Sequence, residues 1–186
     1  PYRRQRQMCI RDRVYSSNAG HTEKYAKIIS EKTGLPVYDL KEAKRNLKYE
    51  DPVLYMGWIK MGDVSGYISA RAYFTIEILV CVGILENARG QKEEIIEKYN
   101  ITDCDVFFIR GGFSMEKLKG ANKLMMKIML KKLENDRKNK PLSPENESQY
   151  KILSEGEELS DPEILQPVIS LIEKEYVKPE IDIVKP

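Results

Sequence analysis

Val14-Tyr15-Ser16-Ser17-Asn18-Ala19-Gly20-His21-Thr22, followed at once by Glu23-Lys24-Tyr25-Ala26-Lys27-Ile28-Ile29, is the stretch on which the reading of this chain turns. A short apolar strand runs into small hydroxyl and amide residues and one glycine, then into a helix expected to open at Thr22. That order aims backbone N–H groups, hydroxyls and the positive end of a helix dipole at one anion. No Lys or Arg stands between Ser16 and Thr22, so the loop suits a monophosphate held by neutral donors. The nucleotide loop G-x-x-x-x-G-K-[ST] and the dinucleotide turn G-x-G-x-x-G are both absent. The competing reading of the same residues is an ordinary N-cap, which any Ser-rich turn before a helix supplies.

Outward from this loop, strand and helix signals alternate. Strands are expected at Val14–Ser16, Pro36–Leu40, Val53–Gly57, Glu77–Gly83 and Asp105–Arg110. Between and after them the periodicity predicts helices at Thr22–Thr33, near Ser65–Tyr73, at Gln91–Tyr99, at about Glu116–Glu134 and at Asp161–Tyr176. Gly34 closes the first helix, Lys41–Tyr49 reads as a polar connection or short helix, and a polar segment carries Pro141 and Pro144. Such alternation implies βαβ units and a parallel sheet.

In its order of residues, Ser17-x-Ala19-Gly20-x-Thr22 resembles the flavodoxin phosphate loop S/T-x-T-G-x-T, which holds the phosphate of FMN. Ala19 departs from the pattern: it stands where that family usually has Thr, so one side-chain hydroxyl is missing. The resemblance implies an α/β, flavodoxin-like three-layer sandwich with a five-stranded parallel sheet in the order 2-1-3-4-5, and a non-covalently bound FMN. Expected phosphate-loop contacts are Ser16, Ser17, Asn18, Ala19, Gly20, His21 and Thr22. His21, the only histidine, either adds partial charge to the phosphate site or faces solvent.

Ligands of open parallel sheets sit outside the carboxyl ends of the strands, where strand order reverses. The loops after the third and fourth strands are therefore expected at the same site. The first holds Gly57, Trp58, Ile59, Lys60, Met61 and Gly62. Trp58 offers an indole for stacking on a planar ring, and the glycines would admit backbone to the ring edge. Trp58 as a core residue, or Ile59 or Met61 as the stacking group, are the alternatives. The second loop holds Gly83, Ile84, Leu85 and Asn87, with Arg89 facing a substrate carboxylate or solvating the next helix. No catalytic residue set, paired carboxylates or metal site is expected, and the chemistry would belong to the cofactor.

Phe108-Ile109-Arg110-Gly111-Gly112-Phe113, with the Lys/Met-rich helix that follows, resembles the flavodoxin-like menaquinone-dependent protoporphyrinogen oxidases and their relatives. Two functions follow as expectations: electron transfer by an FMN-binding flavodoxin-like protein, or a flavin-dependent oxidase of the protoporphyrinogen oxidase type passing electrons to a quinone. The expected partner is a redox protein or a quinone. Helix 116–134 carries two apolar stripes, Leu118, Ala121, Met125 and Ile128 and then Met126, Met129, Leu130 and Leu133, among lysines. One stripe suffices for packing on a sheet. The other suits a membrane surface or a partner protein, unless the helix is a broad core helix with snorkelling lysines.

The 186 residues suit one domain, and 41% hydrophobic with 32% charged residues is ordinary for a globular chain. Cys9, Cys81 and Cys104 are too few and scattered for a disulfide framework. A cytoplasmic location, peripheral to the inner face of the membrane if the helix binds there, is the expectation. The net charge of +2 conceals +4 on residues 1–13 and about −2 on the remainder, which gives no basic face for nucleic acid. Met8-Cys9-Ile10-Arg11-Asp12-Arg13 looks like the translated end of a sequencing adapter, so residues 1–13 are expected to be a non-native or disordered basic arm. A natural basic arm is the alternative. The domain is expected over 14–177 and a tail over 178–186.

Overall fold

Thr75–Gly83 reads Thr-Ile-Glu-Ile-Leu-Val-Cys-Val-Gly, and from Ile76 to Gly83 every residue is buried. So continuous a run belongs in the middle of a sheet covered on both faces, and the computed structural model of the protein, which describes residues 10, 12–84, 90–158 and 161–175, places it there. The strands are β1 (Asp12–Ser16), β2 (Val37–Asp39), β3 (Pro52–Lys60), β4 (Asp63–Val64), β5 (Thr75–Gly83) and β6 (Asp105–Arg110). The helices are α1 (His21–Thr33), α2 (Leu40–Asn46), α3 (Tyr67–Arg71), α4 (Gln91–Tyr99), α5 (Gly120–Asn139), α6 (Pro144–Glu155) and α7 (Gln166–Glu175), with a 3₁₀ turn at Pro162–Leu165. Five parallel strands lie in the order β2-β1-β3-β5-β6, and β4 turns back antiparallel on β3. With the two-residue β4 set aside, this is the flavodoxin-like α/β arrangement.

Alternation along the central strands divides the core in two. Leu54, Met56, Ile78, Val80 and Val82 face α1 and α7, where they meet Tyr25, Ala26, Ile29, Val168, Ile169 and Ile172. Val53, Tyr55, Leu79 and Cys81 face the other way, toward Ala43 of α2, Tyr67 and Ala70 of α3 and Ile95 of α4. A one-residue slip of either strand would exchange the faces. The loops at the carboxyl ends of β1, β3, β5 and β6 are thereby brought to one edge.

Four expectations are corrected. The first strand begins at Asp12, not Val14: Asp12 and Arg13 pair with Val53 and Leu54, and Arg13 N donates to Pro36 O at 3.0 Å. Ile10 is buried in the core facing α1. Backbone groups of a central strand must be paired, and that requirement holds Arg13 in the sheet although its side chain is wholly buried. Its Nη2 donates to Thr33 Oγ1, while Nε and Nη1 have no partner among the described residues. Burial pushes the guanidinium down to about 10.

Second, β3 runs through Trp58, Ile59 and Lys60 before turning, so these are strand residues and not a loop. Met61 and Gly62 both have positive φ, 48° and 78°. That is the signature of a two-residue type I′ hairpin, and it sets Lys60 opposite Asp63.

Third, the long helix starts at Gly120, not Glu116, because Gly120 has φ 58° and a right-handed helix does not pass upstream through it. It ends at Asn139, where Pro141 favours an extended Lys140. A further helix, α6, then occupies the polar segment after it, for which no helix is expected. Ser143 caps it by accepting from Asn146 N at 3.3 Å, with Pro144 in its first turn.

Fourth, α5 packs on α6 and not on the sheet. Met126, Leu133, Phe113, Leu118, Ile152 and Leu153 form a third cluster of their own, and the expected sheet-covering role belongs to α7. Shorter differences concern β2, α2 and α3, each shifted or trimmed by a few residues at its ends. The expected tail, 178–186, lies outside the described residues.

Candidate functional site

The β1–α1 loop is built so that a helix end stays open. Gly20 is the N-cap of α1 in the left-handed region, φ 90°, and no side chain caps the first-turn amides. The first helical bond is Lys24 N to Gly20 O at 2.9 Å. An uncapped N-terminus leaves donors and a positive dipole end for an anion. Neither the Ser17 nor the Thr22 side chain caps this helix. Ser17 Oγ instead accepts from Gly20 N at 3.1 Å, which folds the loop and leaves the hydroxyl proton to donate. Thr22 is buried at the floor.

Ser16 and Ala19 have structural reasons for their identities. Tyr55 Oη lies 2.8 Å from Ser16 Oγ and donates to Ser65 O at 2.7 Å, so the Ser16 hydroxyl is engaged behind the loop. Burial raises the Tyr55 phenol pKa and keeps it a donor. Ala19 packs against the third cluster, beside the chain that follows β6. A methyl therefore faces apolar side chains where the family pattern has a hydroxyl.

His21 is half-buried. Its ring lies against Gly112, on which a Cβ would stand 2.7 Å from both His21 Cε1 and Nδ1. Burial, and secondarily Lys117, lowers its pKa against an opposing pull from Glu158. Nε2 is buried with no partner among the described residues. An orphaned ring nitrogen of this kind costs stability unless something bound there satisfies it.

A cleft opens from this loop across the carboxyl edge of the sheet. It brings together Ser17, Asn18, Ala19, His21, Thr22, Trp58, Ile59, Gly83 and Ile84. It continues into a second cavity bordered by Trp58, Lys60, Met61, Gln91 and Met129. Ser16, Gly20, Gly57 and Gly62 do not line either wall. Leu85, Asn87 and Arg89 lie outside the described residues.

The glycine reading of the β3 end is corrected. A Cβ on Gly57 would meet Val64 Cγ1 at 2.6 Å and Ser65 O at 2.8 Å, so its missing side chain admits the returning β4 chain and not a ring edge. Gly62 serves the hairpin turn, and Lys98 holds that turn through Gly62 O at 3.2 Å and Asp63 at 2.6 Å. Trp58 stays half-buried at the strand end, along the cleft. Gly83 is required by the Phe108 ring, whose Cζ would stand 2.5 Å from a Cβ added there, and its carbonyl accepts from Gly111 N at 2.6 Å.

Sequence reasoning did not place the chain after β6 in the site. Gly111, Gly112, Phe113, Leu118 and Met126 all line the cleft. The paired glycines after a strand were the visible signal. Leu118 and Met126 had none, since a helical apolar stripe does not tell what it covers. Phe113 bridges to Glu157 through bonds of 2.7 and 2.8 Å, and Arg110 Nη2 donates to both Glu157 carboxylate oxygens, at 2.9 and 2.7 Å. These contacts clamp residues 111–158 over the edge of the sheet.

The Cys81 and Cys104 thiols are pushed up to about 12 by burial, so both stay protonated near neutral pH. Among the described residues no group of His, Cys, Asp and Glu is placed to hold a metal ion. Nor, among them, is any helix long and apolar enough to cross a membrane. A separate cavity lined by Tyr49, Tyr67, Tyr73 and Phe74 lies at the amino ends of β5 and β6, away from the loop.

No curated protein matches the chain. A family model described as Flavodoxin domain matches residues 14–140. The match does not single out the menaquinone-dependent protoporphyrinogen oxidases. It spans the β1–α1 loop, all of the sheet after its first two residues, and α5, which is more than half of the protein, so the chain belongs to the flavodoxin-domain family.

Proposed function

We propose that the cleft binds FMN non-covalently and that the protein acts in electron transfer. The observation that carries this reading is the uncapped N-terminus of α1, opening into an apolar cleft at the carboxyl edge of the sheet. The residues present suit such a group. The first-turn amides of α1 and the hydroxyls of Ser17 and Thr22 would take the phosphate; they are neutral donors, as a monophosphate needs. Trp58, Ile59, Gly83 and Ile84 would border the ring. When bound, the flavin supplies the redox chemistry, and the chain's part is to bind it, orient it and exclude water. Family membership supports the same reading, since flavodoxin-like domains usually bind a flavin.

Titration of the purified protein with FMN, followed by quenching of flavin fluorescence, tests this. Gly20→Val should abolish binding. Nothing lies within 4 Å of a Cβ at Gly20, so the loss comes from a backbone at φ 90° that a β-branched residue does not adopt. An unaltered affinity in that variant, or a preference for FAD or ATP over FMN, would overturn the proposal.

A further inference from the structure

We propose that the outward face of α5 seats the protein on a membrane surface rich in anionic lipid headgroups. Leu124 and Ile128, four residues apart and so on one face of the helix, are each 63% exposed. The inward side of α5 is already occupied: Met126 and Leu133 are buried, and Met125, Met129 and Leu130 pack against the same cluster. The two aliphatic side chains therefore stand apart from the core that the helix serves.

Charge surrounds them. From Lys117 to Lys132 the chain has six lysines and no acidic residue. Lys117 pairs with Glu158 at 2.7 Å, and Lys123 Nζ donates to Glu116 O at 3.2 Å. Lys119, Lys127, Lys131 and Lys132 are exposed, and among the described residues none of them pairs with a carboxylate.

Two aliphatic side chains offer too little for the aromatic- and Met-rich core by which a protein partner is usually held. A bilayer surface needs no shaped pocket. Shallow insertion of Leu124 and Ile128, with long lysines reaching headgroup phosphates, meets its requirements. The cleft lies on the inner side of the same helix, where Met126 lines it.

Flotation of the full chain with vesicles is the test, using phosphatidylcholine alone and phosphatidylcholine mixed with phosphatidylglycerol. Binding should appear only with phosphatidylglycerol and weaken as salt rises. A Lys127→Gln, Lys131→Gln, Lys132→Gln variant should lose about a hundredfold in affinity, at roughly fivefold per lysine. Leu124→Ser with Ile128→Ser should weaken binding at constant charge. All five positions are exposed, and an unchanged circular dichroism spectrum and melting temperature would show that each variant folds. The proposal fails if the chain does not float with phosphatidylglycerol vesicles, if both variants bind as the parent does, or if it binds an acidic polypeptide such as polyglutamate but no vesicle.

Discussion

The side-chain oxygen of Asn18 accepts from the backbone N–H of Lys119 at 3.1 Å, joining the β1–α1 loop to the N-cap of α5 across 101 positions of sequence. The loop and the α5–α6 layer are coupled by this bond and by the packing of Ala19 on the third cluster. Asn18→Ala removes one net hydrogen bond, about 0.5–1.5 kcal/mol. We expect hydrogen exchange at Lys119 to quicken, FMN affinity to fall modestly, and the sheet amides of β3 and β5 to keep their protection.

Gly112 should tolerate no side chain. In Gly112→Ala the new Cβ stands 2.7 Å from Glu157 O and from the His21 ring, so backbone or imidazole must move. The expected cost is about 1–3 kcal/mol, as for overpacking elsewhere. Urea denaturation measures it, and FMN affinity should drop with it because His21 and Gly112 line the same cleft. Gly90→Ala, where nothing lies within 4 Å, should show only backbone strain.

Arg13→Leu should stabilise the protein. The side chain is fully buried on the α1 face of β1, with Nε and Nη1 unpartnered among the described residues. Replacing such a group by an apolar one of similar volume removes a desolvation cost and is expected to raise stability by about 1–4 kcal/mol. Thermal melts of the two proteins decide it. An apolar segment in place of Met8–Arg13 should move the melting temperature in the same direction.

The His21 imidazole should make stability fall on acidification. Burial lowers its pKa below the ordinary value near 6.5, so below that pH the unfolded chain binds more protons than the folded one. Its contribution is therefore fully present above about pH 6.5 and lost as pH falls toward the lowered folded value. Denaturation at pH 7.5 and 5.5 should show a difference that His21→Gln reduces.

Local chemistry and periodicity carry the part of this fold that is legible residue by residue. Ser17 to Thr22 followed by a helical pattern marks the strand-to-helix turn, because small residues, a left-handed Gly20 and a helix start are local requirements. The apolar runs at β3, β5 and β6 mark buried parallel strands, because only a sheet covered on both faces accepts them. The remainder depends on segments that meet only in the folded chain. Arg13 enters the central strand because its backbone is paired on both sides, an influence stronger than the side chain's aversion to burial. Trp58 to Lys60 extend β3 because Met61 and Gly62 turn the chain back on it, and Gly57 is small because β4 then crosses it. Met126 and Leu118 reach the cleft only because α5 packs on α6 above the sheet edge. An apolar stripe states that a helix must be covered; which surface covers it is fixed by contacts between residues far apart in the chain.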